Sequence, residues 1–407
     1  MRKNNIGVIL DKALCSGCGA CTVICKKDCV SMKEDAGYNY PCIDTASCNN
    51  CGLCLKVCPG RRILDRLSAG GLTPLELRDS AINYTACSAD EDIRYNAASG
   101  GVISGISIFL LERGYIDGLI CVKQDEDNPL LNIAFAAFNR QEVLQASGSR
   151  YSPVSACTAL KEILHDGKRY AFIGKPCEID ALNELQKYIP ELEKKIRLKI
   201  SLMCACTPSR KGTLKLLKDL NIKPSEVRKL SYRGNGWPGF FSVETKDGLR
   251  YSMPYFQAWN KYLSRFPCLR CAICDDPLGE SSDITVGDAW DRKLLENNSG
   301  LSAVIVRTDT GRKYMELALD NNIIKADIVD TDDILRFQRS LVKKVEKAAN
   351  NVFAYSMVFL NKYRFGEIRA AYGSNFHNYF SLLKRTARFL IYKISNKFNY
   401  EKVIANG

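Results

Sequence analysis

Histidine is nearly missing from this chain: two among 407 residues, His165 and His377. Imidazole acid–base chemistry is therefore not its theme. Neither residue stands in a motif, and both read as structural or surface groups. Long hydrophobic runs are missing too. The longest candidate, Gly101 to Leu111, is cut off by Glu112 and Arg113, short of the roughly 18 residues that span a bilayer. The opening segment MRKNNIGVIL has no extended apolar core and no small-residue cleavage site, which argues against an export signal. No nucleic-acid motif accompanies the basic residues, so no nucleic-acid partner is expected. What is present is an ordinary composition, 46% hydrophobic and 25% charged, at a length for about two to three domains.

Cysteine is abundant. Of nineteen, ten precede residue 59, and eight of those form two runs. Cys15, Cys18, Cys21 and Cys25 make one C-x2-C-x2-C-x3-C run; Cys48, Cys51, Cys54 and Cys58 make the other. Two intervening residues let a tight loop point three thiolates at one iron–sulfur cube. The fourth cysteine starts the next segment and reaches the other cube. One 4Fe–4S cluster is thus expected on Cys15, Cys18, Cys21 and Cys58, and the second on Cys48, Cys51, Cys54 and Cys25. Gly17, Gly19 and Gly52 suit a close backbone approach to sulfide. Pro59 follows the second run as the pattern expects, whereas Lys26 stands at the matching place after the first. A zinc site would lack the tight third cysteine. So many thiols point to a reducing, cytoplasmic setting. Residues 5–66 resemble bacterial-type two-cluster ferredoxins, with Cys29 and Cys42 left to pack as small buried hydrophobes.

The middle of the chain reads as α/β. Ser99, Gly100 and Gly101 precede an apolar helical stretch ending near Gly114. Ser99 is the expected N-cap, and the first turn is a candidate anion site. Lys168 to Ile173 reads as a buried strand ending in Gly174-Lys175-Pro176-Cys177. A helix over about 178–193 and a strand from Arg197 to Met203 follow, the latter ending at Cys204 and Cys206. A right-handed parallel crossover would put both cysteine-bearing strand ends on one sheet edge, where ligands bind in such folds. Downstream lie Cys268, Cys271 and Cys274. Cys177, Cys204, Cys271 and Cys274 are the expected ligands of a third cluster, with Cys206 and Cys268 as alternates and zinc as the competing metal. The loop from Tyr232 to Phe241 is rich in glycine and aromatics, suited either to stacking on a flavin ring or to plugging the core. A hairpin is expected around Lys246-Asp-Gly248.

The net charge of +13 is uneven. From Arg339 to Lys402, thirteen Lys/Arg face three Glu, which is +10. A helix is expected around Tyr379–Phe398, with Leu382, Leu383, Phe389, Leu390 and Ile394 at helical spacing. A basic outer face of a packing helix is one reading. Contact with a membrane surface or an acidic partner is the other.

Taken together, these motifs resemble the coenzyme F420 hydrogenase/dehydrogenase beta-subunit family over about residues 10–290. The resemblance rests on the double cysteine run, Ser99-Gly100-Gly101-Val102, Gly148-Ser-Arg-Tyr151, Gly174-Lys-Pro-Cys177, Met203-Cys204 with Pro208-Ser209, Cys271-x2-Cys274-x-Asp276 and Asp283-Ile-Thr-Val-Gly-Asp288-Ala-Trp290. With the α/β domain over 67–335 that it implies, carrying FAD and a further 4Fe–4S cluster, the chain divides into a two-cluster ferredoxin domain over 1–66, that domain, and the basic helical segment, read from its charge, over 336–407. Ser99, Gly100, Gly101, Gly174 and Lys175 would lie at the flavin, and Cys177, Cys204, Cys271 and Cys274 match the family's recurring cysteines. Lys175 stands where a small residue is frequent, and Arg150 replaces a frequent Lys. The implied activity is electron transfer between a small hydride carrier, such as coenzyme F420, and the clusters through flavin. A redox partner protein is implied as well. The alternative is an electron-transfer subunit without substrate chemistry of its own, serving a partner enzyme, for example in polysaccharide synthesis.

Overall fold

Each N-terminal cysteine run closes on a single helical turn. Gly19 and Gly52, at φ +86° and +79°, lead into Ala20–Val23 and Leu53–Lys56. Only glycine adopts this left-handed backbone without strain, and here it turns the cysteine loop inward. Between the runs, strands β1 (Val30–Asp35) and β2 (Tyr38–Ile43) pair antiparallel. The second run feeds helix α1 (Pro59–Ala69), opened by a proline that has no N–H to satisfy. The computed structural model describes residues 3–69, 80–291, 300–360 and 383–394.

The body is a mixed eight-stranded sheet flanked by helices. Its strands are β3 (Ile82–Ser88), β4 (Gly118–Gln124), β5 (Asn132–Ala137), β6 (Tyr170–Gly174), β7 (Ile196–Leu202), β11 (Ile284–Asp288), β12 (Ser302–Val306) and β13 (Ile324–Val329), in the order β13-β3-β12-β11-β7-β6-β4-β5. The central β11, β7, β6 and β4 run parallel, while the outer pairings are antiparallel. Three further strands, β8 (Val227–Ser231), β9 (Phe240–Thr245) and β10 (Arg250–Pro254), form a separate antiparallel sheet with the expected hairpin at Lys246-Asp-Gly248. The parallel centre explains why β6 reads as a nearly continuous apolar run, since both faces are covered, whereas β7 alternates, with Arg197 exposed and Lys199 half-buried.

Helix α2 (Val102–Glu112) is the apolar run of the sequence; most of its residues are buried, as in a core helix. Ser99 is not its N-cap. Gly101 is, at φ +76°, with no side-chain cap; Ser99 Oγ instead bonds the Leu301 carbonyl (3.0 Å) and Ser302 Oγ (3.1 Å). Helix α3 (Pro176–Tyr188) makes the crossover between β6 and β7. The single helix expected over 178–193 is two, because Pro190 starts a new turn (Pro190–Lys195) and cannot donate into the old one.

The cysteine-rich module is fused to this body. Its core residues Ile9, Leu14 and Ile63 join one hydrophobic cluster with Phe172, Ile179 and Leu182. Polar ties reinforce the seam: Cys157 N–H donates to the Cys18 carbonyl (2.9 Å), Tyr38 to the Phe266 carbonyl (2.7 Å), and Arg66 pairs with Asp275 (2.5 Å). The long basic helix α4 (Arg339–Tyr355) crosses the same seam. Its Asn351 donates to the Ala272 carbonyl (2.7 Å) and Tyr355 to the Lys12 carbonyl (2.6 Å). Part of the basic segment is thus a strap rather than an outer face. Residues 383–394 are helical; Phe389 is buried against Tyr355, while Leu390, Ile391 and Ile394 are exposed. Leu382, Lys397 and His377 lie outside the described residues, and His165 is exposed. Among the described residues no helix is long and apolar enough to cross a membrane.

Candidate redox site

Cys15 and Cys21 feel the charge of Cys58 and Cys18, a first group, and Cys54 that of Cys51, Cys48 and Cys25, a second, so the interactions cross between the runs; Cys54 also acts on Cys21. The first group is buried: burial, then Cys18, push the Cys58 thiol up to about 12. Cys18 is the exception. A hydrogen bond from the Cys157 thiol brings it down to about 7. The second group reaches the surface, with Cys51 exposed and Cys48 and Cys25 half-buried. Cys29 and Cys42 are buried, and Cys29 lies 3.3 Å from Cys25, sulfur to sulfur.

The third group forms where the central strands end. Cys177 opens α3 just beyond β6, and Cys204 follows β7. Cys271 and Cys274 belong to a short 3-10 turn, Leu269–Ile273, and its cap. All four line one small cavity with Cys268, Arg270 and Lys344; Cys206 does not. Burial pushes the Cys177 thiol up to about 12. The Cys268 thiol does the opposite for Cys271, bringing it down to about 5, assisted by the nearby Lys344 and by the Thr207 N–H at 3.4 Å. Two cations face these sulfurs without a carboxylate ion pair among the described residues: Arg270, and Lys344, which donates to the Cys204 carbonyl at 3.0 Å. Four free thiols beside two buried cations suit an anionic thiolate-ligated cluster.

A cavity of about 760 Å³ opens beside this group, at the carboxyl edge of β4, β6, β7 and β11. Ser99, Gly101, Gly174 and Lys175 line it; Gly100 does not, being packed so closely on the Ala86 carbonyl that a Cβ there would clash. Cys204 and Thr207 line both the large cavity and the small one. Lys175 pairs with the buried Glu178 at 2.5 Å. Burial opposes its charge, but Glu178 and then Cys177 outweigh that and raise its pKa. Two buried polar atoms of lining residues lack any partner among the described residues, Ser107 Oγ and Arg150 Nε, while the Ser152 hydroxyl bonds Tyr232. Burial also pulls the Arg150 pKa down. Such orphans in a large, mostly apolar pocket fit a ligand carrying phosphate oxygens beside a flat ring system, as FAD does. The opposite wall is aromatic, with Tyr255, Trp259 and Trp290 around the buried Arg233.

Comparison with known proteins sharpens this geometry. Two models of "Coenzyme F420 hydrogenase/dehydrogenase, beta subunit" match, the N-terminal one over residues 83–161 and the C-terminal one over 167–332, and a "4Fe-4S dicluster domain" matches 14–61. The chain belongs to the coenzyme F420 hydrogenase/dehydrogenase beta-subunit family. Within this family it is 25% identical over 371 residues to an uncharacterized protein of Methanocaldococcus jannaschii, covering 85% of this chain and 98% of that one. It is 26% identical over 291 residues to the beta subunit of coenzyme F420 hydrogenase of Methanosarcina barkeri, covering 69% and 94%. A chain in the structure of the F420-reducing [NiFe] hydrogenase complex from Methanosarcina barkeri shares the fold, at TM-score 0.52 and 22% identity, over 75% of this chain and 95% of that one.

In this beta-subunit relative, several site residues carry no sequence signal. Lys344 lies 70 residues beyond the last cysteine, in a helix that reads only as basic. Cys157 stands alone in the chain and meets Cys18 only through folding. Arg233 lies in the glycine-rich aromatic loop, where the rings are the stronger signal; Tyr232, Trp237 and Phe241 are buried plugs. Arg270 does carry a signal, as a charge with no acidic residue between Cys268 and Cys274.

Proposed function

We propose that this chain is an iron–sulfur flavoprotein subunit that moves electrons between a small hydride carrier, coenzyme F420 or a chemically similar substrate, and a partner protein. The carrying observation is that Cys204 belongs at once to the large cavity and to the third cysteine group. FAD in the cavity would exchange electron pairs as hydride, and 4Fe–4S clusters on the three cysteine groups would hold single electrons. Arg150 and Ser107 would meet the phosphates, with the N-terminus of α2 at Gly101 beside them. Arg233, held by Asp288 and covered by Tyr255 and Trp290, fixes the aromatic wall of the cavity against which a flat ring system could stack. Cys177, Cys204, Cys271 and Cys274 would hold the third cluster, with Cys268 supporting Cys271. The groups then run from the cavity, through this quartet and the buried first group, to the second group at the surface, where a partner protein would dock.

The second reading is an electron-transfer subunit whose substrate chemistry resides in the partner. It is favoured by the relative named as a hydrogenase subunit and by the solved complex. Anaerobic purification followed by flavin and iron assay separates the two. Bound or bindable FAD, about twelve irons per chain and bleaching of the clusters by reduced coenzyme F420 support the first reading. No flavin binding, with reduction only by a co-purified partner, sinks it.

A further inference from the structure

Arg270 is 5% exposed, its Nε has no hydrogen-bond partner, and no carboxylate among the described residues pairs with it. Cys177, Cys274 and Cys271 act on it most strongly, and the Asp180 carboxylate, which lines one of its cavities, acts on it more weakly. One of the two small cavities it lines contains Cys177, Cys204, Cys271 and Cys274 together with Ser16, the neighbour of Cys15. The other contains Cys177 and Cys274 together with Pro59, the neighbour of Cys58. Its own strand of chain lies against the first group, the Cys268 sulfur being 3.6 Å from the Cys15 carbonyl oxygen. The guanidinium thus lies between two cysteine groups, and its charge acts on Cys177, Cys274 and Cys271 on one side and on Cys15 and Cys58 on the other. A guanidinium stays protonated in proteins.

The geometry points to Arg270 as a positioning charge shared by the third and first clusters, which sets their reduction potentials together. This rests on the cluster reading above. Each cluster gains one negative charge when it takes up one electron, and a buried cation stabilises that added charge far more than water would. A single cation between two acceptors raises both potentials. Uptake at one site becomes less favourable once the other is reduced, because the two added negative charges repel. The second group, beyond the first and open to solvent, is screened from it.

The test uses the full chain purified without oxygen, titrated with dithionite and mediators and followed by electron paramagnetic resonance. Arg270→Gln is expected to lower the first- and third-cluster potentials by at least a tenfold change in the reduction equilibrium, about 59 mV for one electron. The second cluster should not move, and Arg270→Lys should stay within that margin of wild type. An unmoved first cluster in Arg270→Gln, or an equal shift of all three, overturns the proposal. Iron near eight per chain would defeat the three-cluster reading separately, and the first cluster would still judge Arg270. If Arg270→Gln does not assemble, wild type labelled with 15N-arginine decides. Nitrogen coupling to both reduced clusters, lost in Arg270→Lys, supports the shared charge; no coupling overturns it.

Discussion

Arg233 donates to both carboxylate oxygens of Asp288, at 2.8 and 3.0 Å, and lies over the Tyr255 ring at 4.3 Å. Trp237 Nε1 adds a third bond to the same carboxylate at 2.8 Å. The pair joins the aromatic loop to the end of β11. With the Arg233 side chain only 1% exposed, removing its partner leaves a buried charge. Asp288→Ala should therefore lower unfolding free energy by about 3 kcal/mol, read by denaturant titration under nitrogen. Replacing both partners with hydrophobic residues should recover most of that loss. A single variant as stable as wild type would show the pair to be dispensable.

Cys204 and Cys206 are one residue apart on either side of Ala205, yet only Cys204 enters the small cysteine-lined cavity. Cys204→Ser should reduce iron from about twelve to about eight per chain, while Cys206→Ala keeps it. The opposite pattern would make Cys206 the ligand.

Arg150 presents a buried, unpartnered Nε at the large cavity, and its other nitrogen bonds the Gln145 carbonyl at 3.1 Å. Arg150→Ala should weaken FAD binding by about 1.5–3 kcal/mol, roughly 10- to 100-fold in Kd. Because the charge is costly in the empty cavity, the flavin-free variant should be no less stable than wild type. Calorimetric titration with FAD and a melt of the flavin-free protein separate these outcomes; a destabilised variant with unchanged affinity would assign Arg150 to structure.

Asp117, at the head of β4, accepts a bidentate pair and a backbone bond from Arg169 at the head of β6, which hold its carboxyl down at about 2. Its folded pKa lies below the unfolded carboxylate value of about 3.9. Its contribution is therefore complete above that value and is lost as pH falls toward 2. The side chains of the pair are 43% and 35% exposed, so solvent screening keeps the gain small. Asp117→Asn should lower the denaturation midpoint slightly at pH 7, with the difference from wild type vanishing in strong acid. A difference that persists at pH 2 would point to packing instead of charge.

Much of the framework was legible because its causes are local. Spacing within each cysteine run, glycine at the loop-closing positions and the apolar run of β6 are short-range features, and each reappears in the structure. The departures are local alternatives that tertiary packing decided. Ser99 has the chemistry of a cap, but the Leu301 carbonyl and Ser302 compete for its hydroxyl and Gly101 begins the helix. The basic segment has the charge of a solvated face, but Lys344 and Asn351 of α4 reach carbonyls at the cysteine seam.

By itself the sequence determined that this chain carries 4Fe–4S chemistry and belongs with the F420 beta subunits, since thiolate spacing and strand-end motifs are one-dimensional signals. Only the tertiary structure decided what surrounds those thiols. Arg270, Lys344, Cys157 and the Arg233–Asp288 pair are contributed by segments far apart in the chain, and electrostatic compensation in a buried site depends on distance in space. That is why candidate ligands could be proposed from their order, and the charges beside them could not.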